Sequence, residues 1–227
     1  MASRISIIIP AYNEESSIGL VLDALPRDKI HEIIVVDNCS TDATAHVAQE
    51  HGARVVKEPR KGYGSACLKG IEELDAPDII VFIDGDFSDF PEEIVLLIGP
   101  IENGEKDFVL GSRMIFPKSQ LALLPQARYG NRLAIFLIKL FFKYEFTDLG
   151  PFRAIRYSSL MFLGMQDRDF GWTVEMQIKA VRNGLRIQEV PVNYRKRVGI
   201  SKITGTLSGT IRAGTKIIYT IFKYLLP

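Results

Sequence analysis

Short apolar runs alternate with amphipathic segments through the first half of the chain. The runs at residues 5–9 and 79–83 predict strands buried in the core of a parallel sheet, and further strands are expected at 32–36, 54–56 and 108–110. Each gap between runs contains a segment with helical spacing, and the first begins at Glu15 and places Ile18, Val21 and Leu22 on one face. Strand and helix therefore alternate from residue 5 to about 111, which predicts an α/β fold with a mostly parallel, doubly wound sheet flanked by helices.

The second half of the chain is less regular. We expect helices over residues 132–146 and 171–181, a turn at 148–152 that enters a short strand, and a final helix over 207–226. A predicted strand over residues 187–194 contains Pro191, which cannot donate to a strand ladder, so this strand should lie at a sheet edge. The pattern predicts an α/β domain over residues 1–205 and a C-terminal amphipathic helix over 206–227.

Composition narrows the class of protein without identifying it. The 227 residues suit one sizeable domain, and the net charge of +1 provides no overall field that would attract nucleic acid. Two cysteines, Cys39 and Cys67, do not form a disulfide framework, which is typical of a reducing cytosol. A strand that starts by Ile5 leaves no room for a signal peptide, and no stretch of ~18 uncharged apolar residues predicts a spanning helix. We therefore expect a cytoplasmic protein that does not bind nucleic acid.

The most informative segment follows the apolar run at residues 79–83 and consists of Asp84, Gly85 and Asp86. These residues stand where a buried strand leaves the core, at the sheet edge where open α/β proteins bind ligands. Gly85 has no side chain, so a bulky group can approach the backbone between the two carboxylates. Two carboxylates suit Mg²⁺ or Mn²⁺, which prefer oxygen ligands and bridge to phosphates. The alternative is an ordinary polar turn, since Asp and Gly are common turn residues.

Polar residues also follow the first two predicted strands. Asn13 and Glu14 follow the first strand, and Asp37 and Asn38 follow the second. Because the carboxyl ends of parallel strands meet at one edge of the sheet, these side chains should lie near the two aspartates. Their oxygens can accept hydrogen bonds from a base or a ribose. The glycine patterns of a dinucleotide fold, a P-loop and a hydrolase nucleophile elbow are absent, which argues against those classes.

Three of these segments are Pro-Ala-Tyr-Asn-Glu at residues 10–14, Val-Val-Asp-Asn-Cys-Ser-Thr-Asp at 35–42 and Ile-Asp-Gly-Asp at 83–86. Together they resemble the signature segments of inverting family 2 glycosyltransferases with the GT-A fold. Later segments resemble the dolichyl-phosphate or polyprenyl-phosphate sugar synthase branch of that family, and they lie at residues 111–113, 148–153, 189–192 and 197–202. The resemblance implies a Rossmann-like GT-A sheet, a UDP- or GDP-linked nucleotide-sugar donor, Mg²⁺ or Mn²⁺ as cofactor, and a lipid-phosphate acceptor.

The resemblance also implies roles for individual residues. The metal would bind Asp84, Asp86 and, as a weak extra ligand, Ser88. The donor would contact Pro10, Tyr12, Asn13, Glu14, Asp37, Lys61, Gly62, Asp84 and Gly85. An acceptor phosphate would contact Arg113, Arg128, Asp148, Arg153, Arg197, Ser201 and Lys202, although Arg128 equally suits a solvated helix face. The catalytic set would be Asp84, Asp86, Arg113 and Glu175.

These segments do not fix the acceptor. A phosphate monoester is already anionic and needs only positioning, whereas a sugar hydroxyl needs a general base, for which Asp148 and Glu175 are the candidates. One alternative is therefore a family 2 glycosyltransferase that acts on a sugar hydroxyl in polysaccharide or glycolipid synthesis. Another is a catalytically silent protein that binds nucleotide sugars, against which the intact Asp84 and Asp86 argue.

One segment departs from the family pattern. The family commonly has Asp-Asp-Gly-Ser where this chain has Asp-Asn-Cys-Ser at residues 37–40. Cysteine in place of glycine at Cys39 argues against a left-handed backbone conformation there, because glycine adopts that conformation at no steric cost. Asn38 makes the expected base site less acidic.

The final predicted helix combines an apolar stripe with basic residues. The stripe consists of Leu207, Ile211, Ile217, Ile218, Ile221, Phe222 and Leu225, and the basic residues are Arg212, Lys216 and Lys223. Such a helix is suited to the surface of an anionic bilayer and is too short and too charged to span one. This interpretation predicts peripheral association with the cytoplasmic face of a membrane. The alternative is a helix that packs on the enzyme's own core, on the second subunit of a homodimer or on a membrane-anchored partner subunit.

Overall fold

The computed structural model describes residues 3–199 and 207–225, and these ranges contain one seven-stranded sheet. The strands are β1 (Ile5–Ala11), β2 (Glu32–Asp37), β3 (Arg54–Lys57), β4 (Ile79–Phe82), β5 (Phe108–Ser112), β6 (Arg153–Arg156) and β7 (Ile187–Pro191). The helices are α1 (Ile18–Ala24), α2 (Thr44–Glu50), α3 (Tyr63–Glu72), α4 (Ile94–Glu102), α5 (Pro117–Ala122), α6 (Pro125–Phe142), α7 (Tyr157–Leu163), α8 (Trp172–Arg182) and α9 (Leu207–Lys223). Short 3₁₀ turns over Arg27–Lys29 and Pro91–Glu93 precede β2 and α4.

The sheet changes winding direction between β1 and β4. Its spatial order is β3-β2-β1-β4-β6-β5-β7, and β1 is parallel to both of its neighbours. The chain winds outwards through β2 and β3 on one side of β1 and starts again at β4 on the other side. A crevice forms where the loops after two such strands part, and open α/β sheets bind ligands there. β6 runs antiparallel between β4 and β5, so the expected mostly parallel sheet flanked by helices is confirmed.

Helices cover both faces of the central strands β1 and β4, which are largely apolar. In β1, Ile7 and Ile9 pack with residues of α1, α2 and α4, whereas Ile8 packs with residues of α3, α6 and α8. In β4, Val81 belongs to the first layer and Phe82 to the second. A continuous apolar run is what a strand covered on both faces requires. The sequence prediction of doubly buried strands is therefore confirmed for β1 and β4.

The boundaries predicted for α6 are wrong. The helix was expected over residues 132–146, but it begins at Pro125 and ends at Phe142. Proline suits the first helical position because its φ is already helical and its missing N–H has no partner there. The helix ends at Lys143, whose φ of 58° is left-handed.

Two short helices, α5 and α7, were not predicted. In α7 only Leu160 and Leu163 are buried, too few to create a helical period in the sequence. α1 begins at Ile18 instead of residue 15, because the residues before it form a turn in which the nitrogens of Ser17 and Ile18 donate to the carbonyl of Glu14. β7 lies at the sheet edge, as predicted, but it ends at Pro191 and not at residue 194.

The C-terminal helix α9 packs against α6 and α8. Its Thr220 and Ile221 are buried, and the ring of Phe222 lies 5.5 Å from the ring of Phe141 in α6. Ile211 and Phe222 nevertheless remain 59% and 47% exposed, so part of the apolar stripe faces solvent. No helix within the described ranges is long and apolar enough to cross a membrane.

Candidate active site

A cavity of about 280 Å³ opens at the switch point between β1 and β4. This volume is close to the lower end of the ~300–1,000 Å³ range typical of ligand sites. The loops after the two strands form one side, and the start of α3, the loop before α8, the segment after β7 and α9 form the others. Of the site residues expected from the sequence, the cavity brings together Pro10, Tyr12, Glu14, Lys61, Gly62, Asp84, Gly85, Asp86 and Arg197.

Asp84 and Asp86 lie in this cavity, just beyond the end of β4. Asp86 is 6% exposed, and Oδ1 of Asp84 is buried without a hydrogen-bond partner among the described residues. Burial and the negative charge of Asp86 raise the pKa of Asp84 to about 7. Two carboxylates that repel each other in a buried site favour a shared cation or a shared proton.

Ser88 and Arg197 occupy the two oxygens of Asp86. Ser88 donates to Oδ1 from its backbone nitrogen at 2.9 Å and from its hydroxyl at 2.5 Å. Nη1 of Arg197 lies 3.1 Å from Oδ2 of Asp86, and Nη2 donates to Oε1 of Glu14 at 2.5 Å. Ser88 is buried behind Asp86 and does not line the cavity. Ser88 therefore orients the carboxylate of Asp86, while Arg197 places a positive charge next to its other oxygen.

The carboxylates suit a cation whose coordination a substrate completes. In the part of the chain that the structure describes, no group of three or more His, Cys, Asp or Glu side chains forms a metal cage. Mg²⁺ at phosphate-transfer sites uses one or two carboxylates and takes its remaining ligands from water and substrate phosphates. Asp84 and Asp86 fit this pattern, and Oδ1 of Asp84 is an acceptor that the protein leaves unsatisfied.

The loops after β1 and β3 are joined by polar contacts along the cavity. Nζ of Lys61 donates to the hydroxyl of Tyr12 at 3.1 Å and lies 4.7 Å from the centroid of its ring. The amide of Asn38 donates to two backbone oxygens of the loop after β3 and accepts from the nitrogen of Gly62 at 2.8 Å. A side chain at Gly62 would clash with the carbonyl oxygen of Arg168. These contacts fix the rim of the cavity before any ligand enters.

Asp37 and Asn13, which were expected at the donor base, support the loop that follows β2. Oδ1 of Asp37 accepts from the nitrogen of Ser40 at 3.0 Å, and Oδ1 of Asn13 accepts from the nitrogen of Thr41 at 2.7 Å. Neither residue lines the cavity, where Asn38 is found instead. Direct contact of Asp37 and Asn13 with a donor stays a prediction.

Cys39 adopts the left-handed conformation that the sequence argued against. Its φ is 68°, so the backbone keeps a shape that suits glycine although a side chain is present. Sγ of Cys39 lies 3.1 Å from the carbonyl oxygen of Pro59 and 3.4 Å from that of Glu58. These weak thiol contacts, together with the hydrogen bonds of the surrounding loop, offset the steric cost.

Arg113 and Asp148 form a buried ion pair. Nε and Nη2 of Arg113 donate to the two carboxylate oxygens of Asp148 at 2.8 and 2.9 Å, and Asp148 is 0% exposed. The guanidinium carbon lies 5.0 Å from the centroid of the Tyr194 ring. Neither member of the pair lines the cavity. Asp148 is thus engaged by an arginine, which leaves it poorly suited to act as a base.

Glu175, the other candidate base, is fully buried at the start of α8. Its carboxylate accepts from the backbone nitrogens of Gln166 and Asp167 at 3.0 and 2.6 Å. It also accepts from the hydroxyl of Tyr224 at 2.6 Å and lies 2.8 Å from Nζ of Lys179. Glu175 does not line the cavity, and these partners tie it to the loop before α8.

The remaining expected acceptor residues are not brought to the cavity. Arg153 is fully buried and donates to the carbonyl of Thr173 at 3.0 Å, and burial lowers the pKa of Arg153 to about 10. This burial leaves no exposed donor for an acceptor phosphate. Arg128 lies on α6, outside the cavity lining. Ser201 and Lys202 lie outside the described residues.

Among the cavity-lining residues that were not assigned to the site from the sequence are Tyr63, Asp169, Phe170 and Arg212. Tyr63 begins α3, Asp169 and Phe170 belong to the loop before α8, and Arg212 belongs to α9. Burial raises the pKa of Asp169 above its ordinary value. No motif distinguishes these positions. The one available signal was the basic start of the final helix, which was interpreted as membrane-binding.

Asp89 is a further carboxylate that the sequence did not single out. It is 1% exposed, and neither carboxylate oxygen has a hydrogen-bond partner within the described ranges. Burial and the charge of Asp84 raise the pKa of Asp89 well above its usual range. Burial therefore disfavours the charged form of Asp89, since an unpaired charge at this depth is costly.

Comparison with known proteins gives consistent matches over most of the chain. The model of Glycosyl transferase family 2 matches residues 6–163. An uncharacterized glycosyltransferase of Mycobacterium tuberculosis is 37% identical over 210 residues, which cover 92% of this chain and 94% of the relative. The UDP-N-acetylglucosamine–dolichyl-phosphate N-acetylglucosaminyltransferase of Methanococcus voltae is 34% identical over 212 residues, which cover 83% of this chain and 84% of the relative.

A solved structure resembles the whole fold. Glucosyl-3-phosphoglycerate synthase from Mycobacterium tuberculosis, in complex with Mn²⁺, UDP and phosphoglyceric acid, matches with a TM-score of 0.80. The match covers 99% of this chain and 79% of that chain at 23% identity. At this identity the likeness concerns the fold, and it confirms the expected GT-A architecture.

Proposed function

The chain belongs to glycosyl transferase family 2, and from this premise we propose that it transfers a sugar from a UDP- or GDP-linked donor to a polyprenyl or dolichyl phosphate. In this reaction an oxygen of the acceptor phosphate forms a bond to the anomeric carbon of the sugar. The bond between that carbon and the donor diphosphate breaks, and its electron pair leaves with the nucleoside diphosphate. The acceptor enters from the face opposite the leaving group, which inverts the anomeric configuration.

The observation that carries this proposal is the pair Asp84 and Asp86 in the cavity at the switch point. Burial and the charge of Asp86 raise the pKa of Asp84, so a cation shared by the two carboxylates would relieve an unfavourable arrangement. A bound Mg²⁺ or Mn²⁺ would neutralise charge that develops on the leaving diphosphate. Ser88 holds the orientation of Asp86 through two hydrogen bonds.

The donor half of the site is assigned to residues that line the same cavity. Tyr12 and Lys61 offer an aromatic face and a cation at its rim, and Asn38 fixes the loop that carries Gly62. Aromatic and amide groups at the carboxyl edge of an α/β sheet suit a nucleoside. Arg197 is placed to contact phosphate oxygens once a cation has taken its position at Asp86, because its guanidinium already reaches that carboxylate.

A phosphate acceptor is supported because both carboxylates that were expected as general bases are already bound by other groups of the protein. Asp148 is paired with Arg113, and Glu175 accepts from backbone and side-chain donors on several sides. A phosphate monoester is already a nucleophile at neutral pH and requires positioning only. The printed name of the relative from Methanococcus voltae describes transfer to dolichyl phosphate, which supports the same acceptor class for this chain.

An apolar surface on α6 supports delivery of the acceptor from a membrane. The helix exposes Tyr129, Leu133, Phe136 and Leu140, whose exposed fractions are 70, 48, 59 and 47%. Their spacing of four, three and four places them on one face. Residues 117–143 also contain five Lys or Arg and no Asp or Glu. An exposed apolar face with this charge suits the interface of an anionic bilayer.

This proposed membrane surface differs from the one expected on the final helix. Ile221 of the expected stripe is buried against the enzyme, and Lys216 pairs with Asp167. At least one basic residue of α9 is thus paired with a carboxylate of the enzyme and is less available to a membrane. We assign the membrane-facing role to α6, with the solvent-exposed side of α9 beside it.

A sugar hydroxyl is the second candidate acceptor, and Asp169 is the observation that favours it. Asp169 lines the cavity, and burial raises its pKa above the ordinary value for an aspartate. A carboxylate of raised pKa at the reacting end of a donor site is suited to general base catalysis. In that case Asp169→Asn would abolish transfer, whereas the phosphate mechanism tolerates the change.

The proposal is tested by release of the nucleoside diphosphate. Purified enzyme is incubated with a panel of UDP- and GDP-linked hexoses, with Mn²⁺, and with or without a short polyprenyl phosphate. We expect one donor whose turnover depends on the lipid phosphate. Turnover that requires a soluble sugar instead, with no response to any lipid phosphate, would favour the hydroxyl acceptor.

A further inference from the structure

α9 presents a polar residue once per turn to the segment that precedes α8. This stripe consists of Arg212, Lys216, Thr220 and Tyr224, whose spacing of four residues places them on one helix face. Nζ of Lys216 lies 2.8 Å from Oδ2 of Asp167, whose side chain is 7% exposed. Thr220 is 1% exposed, and the hydroxyl of Tyr224 donates to the buried carboxylate of Glu175 at 2.6 Å. Three successive turns of α9 are therefore fixed by contacts with the enzyme.

Arg212 continues this stripe by one turn, and it is the member that reaches the cavity. It lines the cavity with Asp169 and Phe170. The loop that carries these two residues is held on its other side by the start of α3, where the nitrogen of Ser65 donates to the carbonyl of Arg168 at 2.9 Å. The position of Arg212 is thus set by the same contacts that join α9 to the loop.

Three cationic side chains from the described part of the chain line the cavity, and they differ in the partners that they contact. Lys61 donates to Tyr12, and Arg197 is bound by the two acidic residues Glu14 and Asp86. The guanidinium of Arg212 has no hydrogen-bonded partner among the residues that the structure describes, although it interacts electrostatically with Asp169. Its donors are therefore available to a ligand that enters the cavity.

We propose that Arg212 binds the phosphate monoester of the acceptor, so that α9 forms part of the acceptor site. The inference rests on the proposed function, since it names a residue for the second substrate of that reaction. A guanidinium offers parallel N–H donors that match the oxygens of a phosphate. A lipid phosphate and a soluble phosphate ester share this chemistry, so both sources fall within the proposal.

The test measures binding to the full chain by calorimetry, with farnesyl phosphate and farnesol as probes. We expect the wild type to bind the phosphate at least tenfold more tightly than the alcohol, a difference of about 1.4 kcal/mol. Arg212→Ala should remove this preference. Lys57→Ala, which removes an exposed cation on β3 outside the cavity, should preserve it. A wild type without the preference, or an Arg212→Ala variant that retains it, overturns the proposal.

A second variant tests the same site by a gain of affinity. Asp169→Asn removes the negative charge beside Arg212, so farnesyl phosphate should bind several-fold more tightly while farnesol is unaffected. Equal or weaker phosphate binding in this variant contradicts the proposal. Soluble 3-phosphoglycerate distinguishes a lipid phosphate from a soluble phosphate ester. If Arg212→Ala weakens binding of 3-phosphoglycerate as well, the site accepts free phosphate esters. If Arg212→Ala weakens binding of farnesyl phosphate alone, the ligand is a lipid. A wild type that binds the phosphate through Arg212 but transfers no sugar to it refutes the proposed function alone.

Discussion

Nη1 of Arg197 lies 3.1 Å from Oδ2 of Asp86, so an arginine from the segment after β7 neutralises a carboxylate at the end of β4. The same guanidinium contacts Glu14, which follows β1. One side chain therefore joins the carboxyl ends of the two strands at the switch point. In the proposed reaction, a cation and the donor diphosphate would displace or share this contact.

Removal of the arginine should strengthen binding of a divalent cation to the free enzyme. Arg197→Gln eliminates a positive charge that competes at Asp86, and we expect Mn²⁺ to bind about three- to tenfold more tightly, equivalent to roughly 1 kcal/mol. Titration of the free enzyme with Mn²⁺ followed by electron paramagnetic resonance measures this. Lys196→Ala, which removes the exposed neighbouring charge, is the control. Weaker Mn²⁺ binding in Arg197→Gln would show that the arginine does not compete with a cation.

Asp89 should make the stability of the protein depend on pH. Because burial raises its folded-state pKa, the stability that it contributes is fully present below the unfolded value of about 3.9 and is lost as pH rises towards the folded value. Asp89→Asn removes this dependence. The variant should be near neutral at pH 4 and should gain stability over the wild type by up to ~1.4 kcal/mol per pH unit above it.

Urea denaturation of the metal-free protein at several pH values measures the effect of Asp89→Asn. Parallel pH profiles for the wild type and the variant would mean that Asp89 ionises in the folded protein at its ordinary pKa.

The left-handed conformation at Cys39 should respond to the branching of the side chain. At a φ of 68° a β-branched residue clashes with its own backbone, so Cys39→Val should lower the free energy of unfolding by about 1–2 kcal/mol. Cys39→Asn should be close to neutral because asparagine tolerates this region. Thermal and urea denaturation provide the measurement. Equal stabilities of the two variants would be inconsistent with the conformation described for this loop.

The apolar face of α6 should carry membrane binding. Leu133→Ser combined with Phe136→Ser removes two exposed apolar side chains, and we expect loss of flotation with anionic liposomes at low salt. Val95→Ser combined with Leu96→Ser makes the same change on α4, where both residues are also exposed, and should leave flotation intact. The assignment fails if the wild type stays in the soluble fraction or if both double variants behave alike.

The sequence predicted those parts of the molecule that are encoded by short continuous segments of the chain. Apolar runs that end in polar residues located β1, β2 and β4, and the resemblance of residues 83–86 to a family segment located the acidic site. The order of the strands brings these ends together, and that follows from a general rule for α/β sheets. The boundaries of α6 were missed because Pro125 precedes the apolar stretch by several polar residues.

The second half of the site could not be predicted because its contacts join distant parts of the chain. Arg212 reaches the cavity on a helix that is held by long-range contacts such as that of Lys216 with Asp167, a residue 49 positions earlier in the chain. Conversely, two arginines that the sequence placed at the acceptor phosphate do not reach the cavity. Of these, Arg113 is paired with a carboxylate, and Arg153 lies in the core bound to backbone carbonyls. Burial of these arginines depends on tertiary packing and cannot be read from the pattern of apolar and polar residues around them.

The most direct test of the account compares undecaprenyl phosphate with undecaprenol as acceptors of a radiolabelled sugar from its nucleotide donor. With Mg²⁺ or Mn²⁺ present, the account predicts a labelled lipid product from the phosphate alone. EDTA should abolish this product, and Asp86→Ala should reduce its rate at least ~100-fold, the scale of losing one important transition-state contact. Labelling of undecaprenol, or full activity in EDTA, or transfer to a sugar hydroxyl with none to the phosphate, would contradict it.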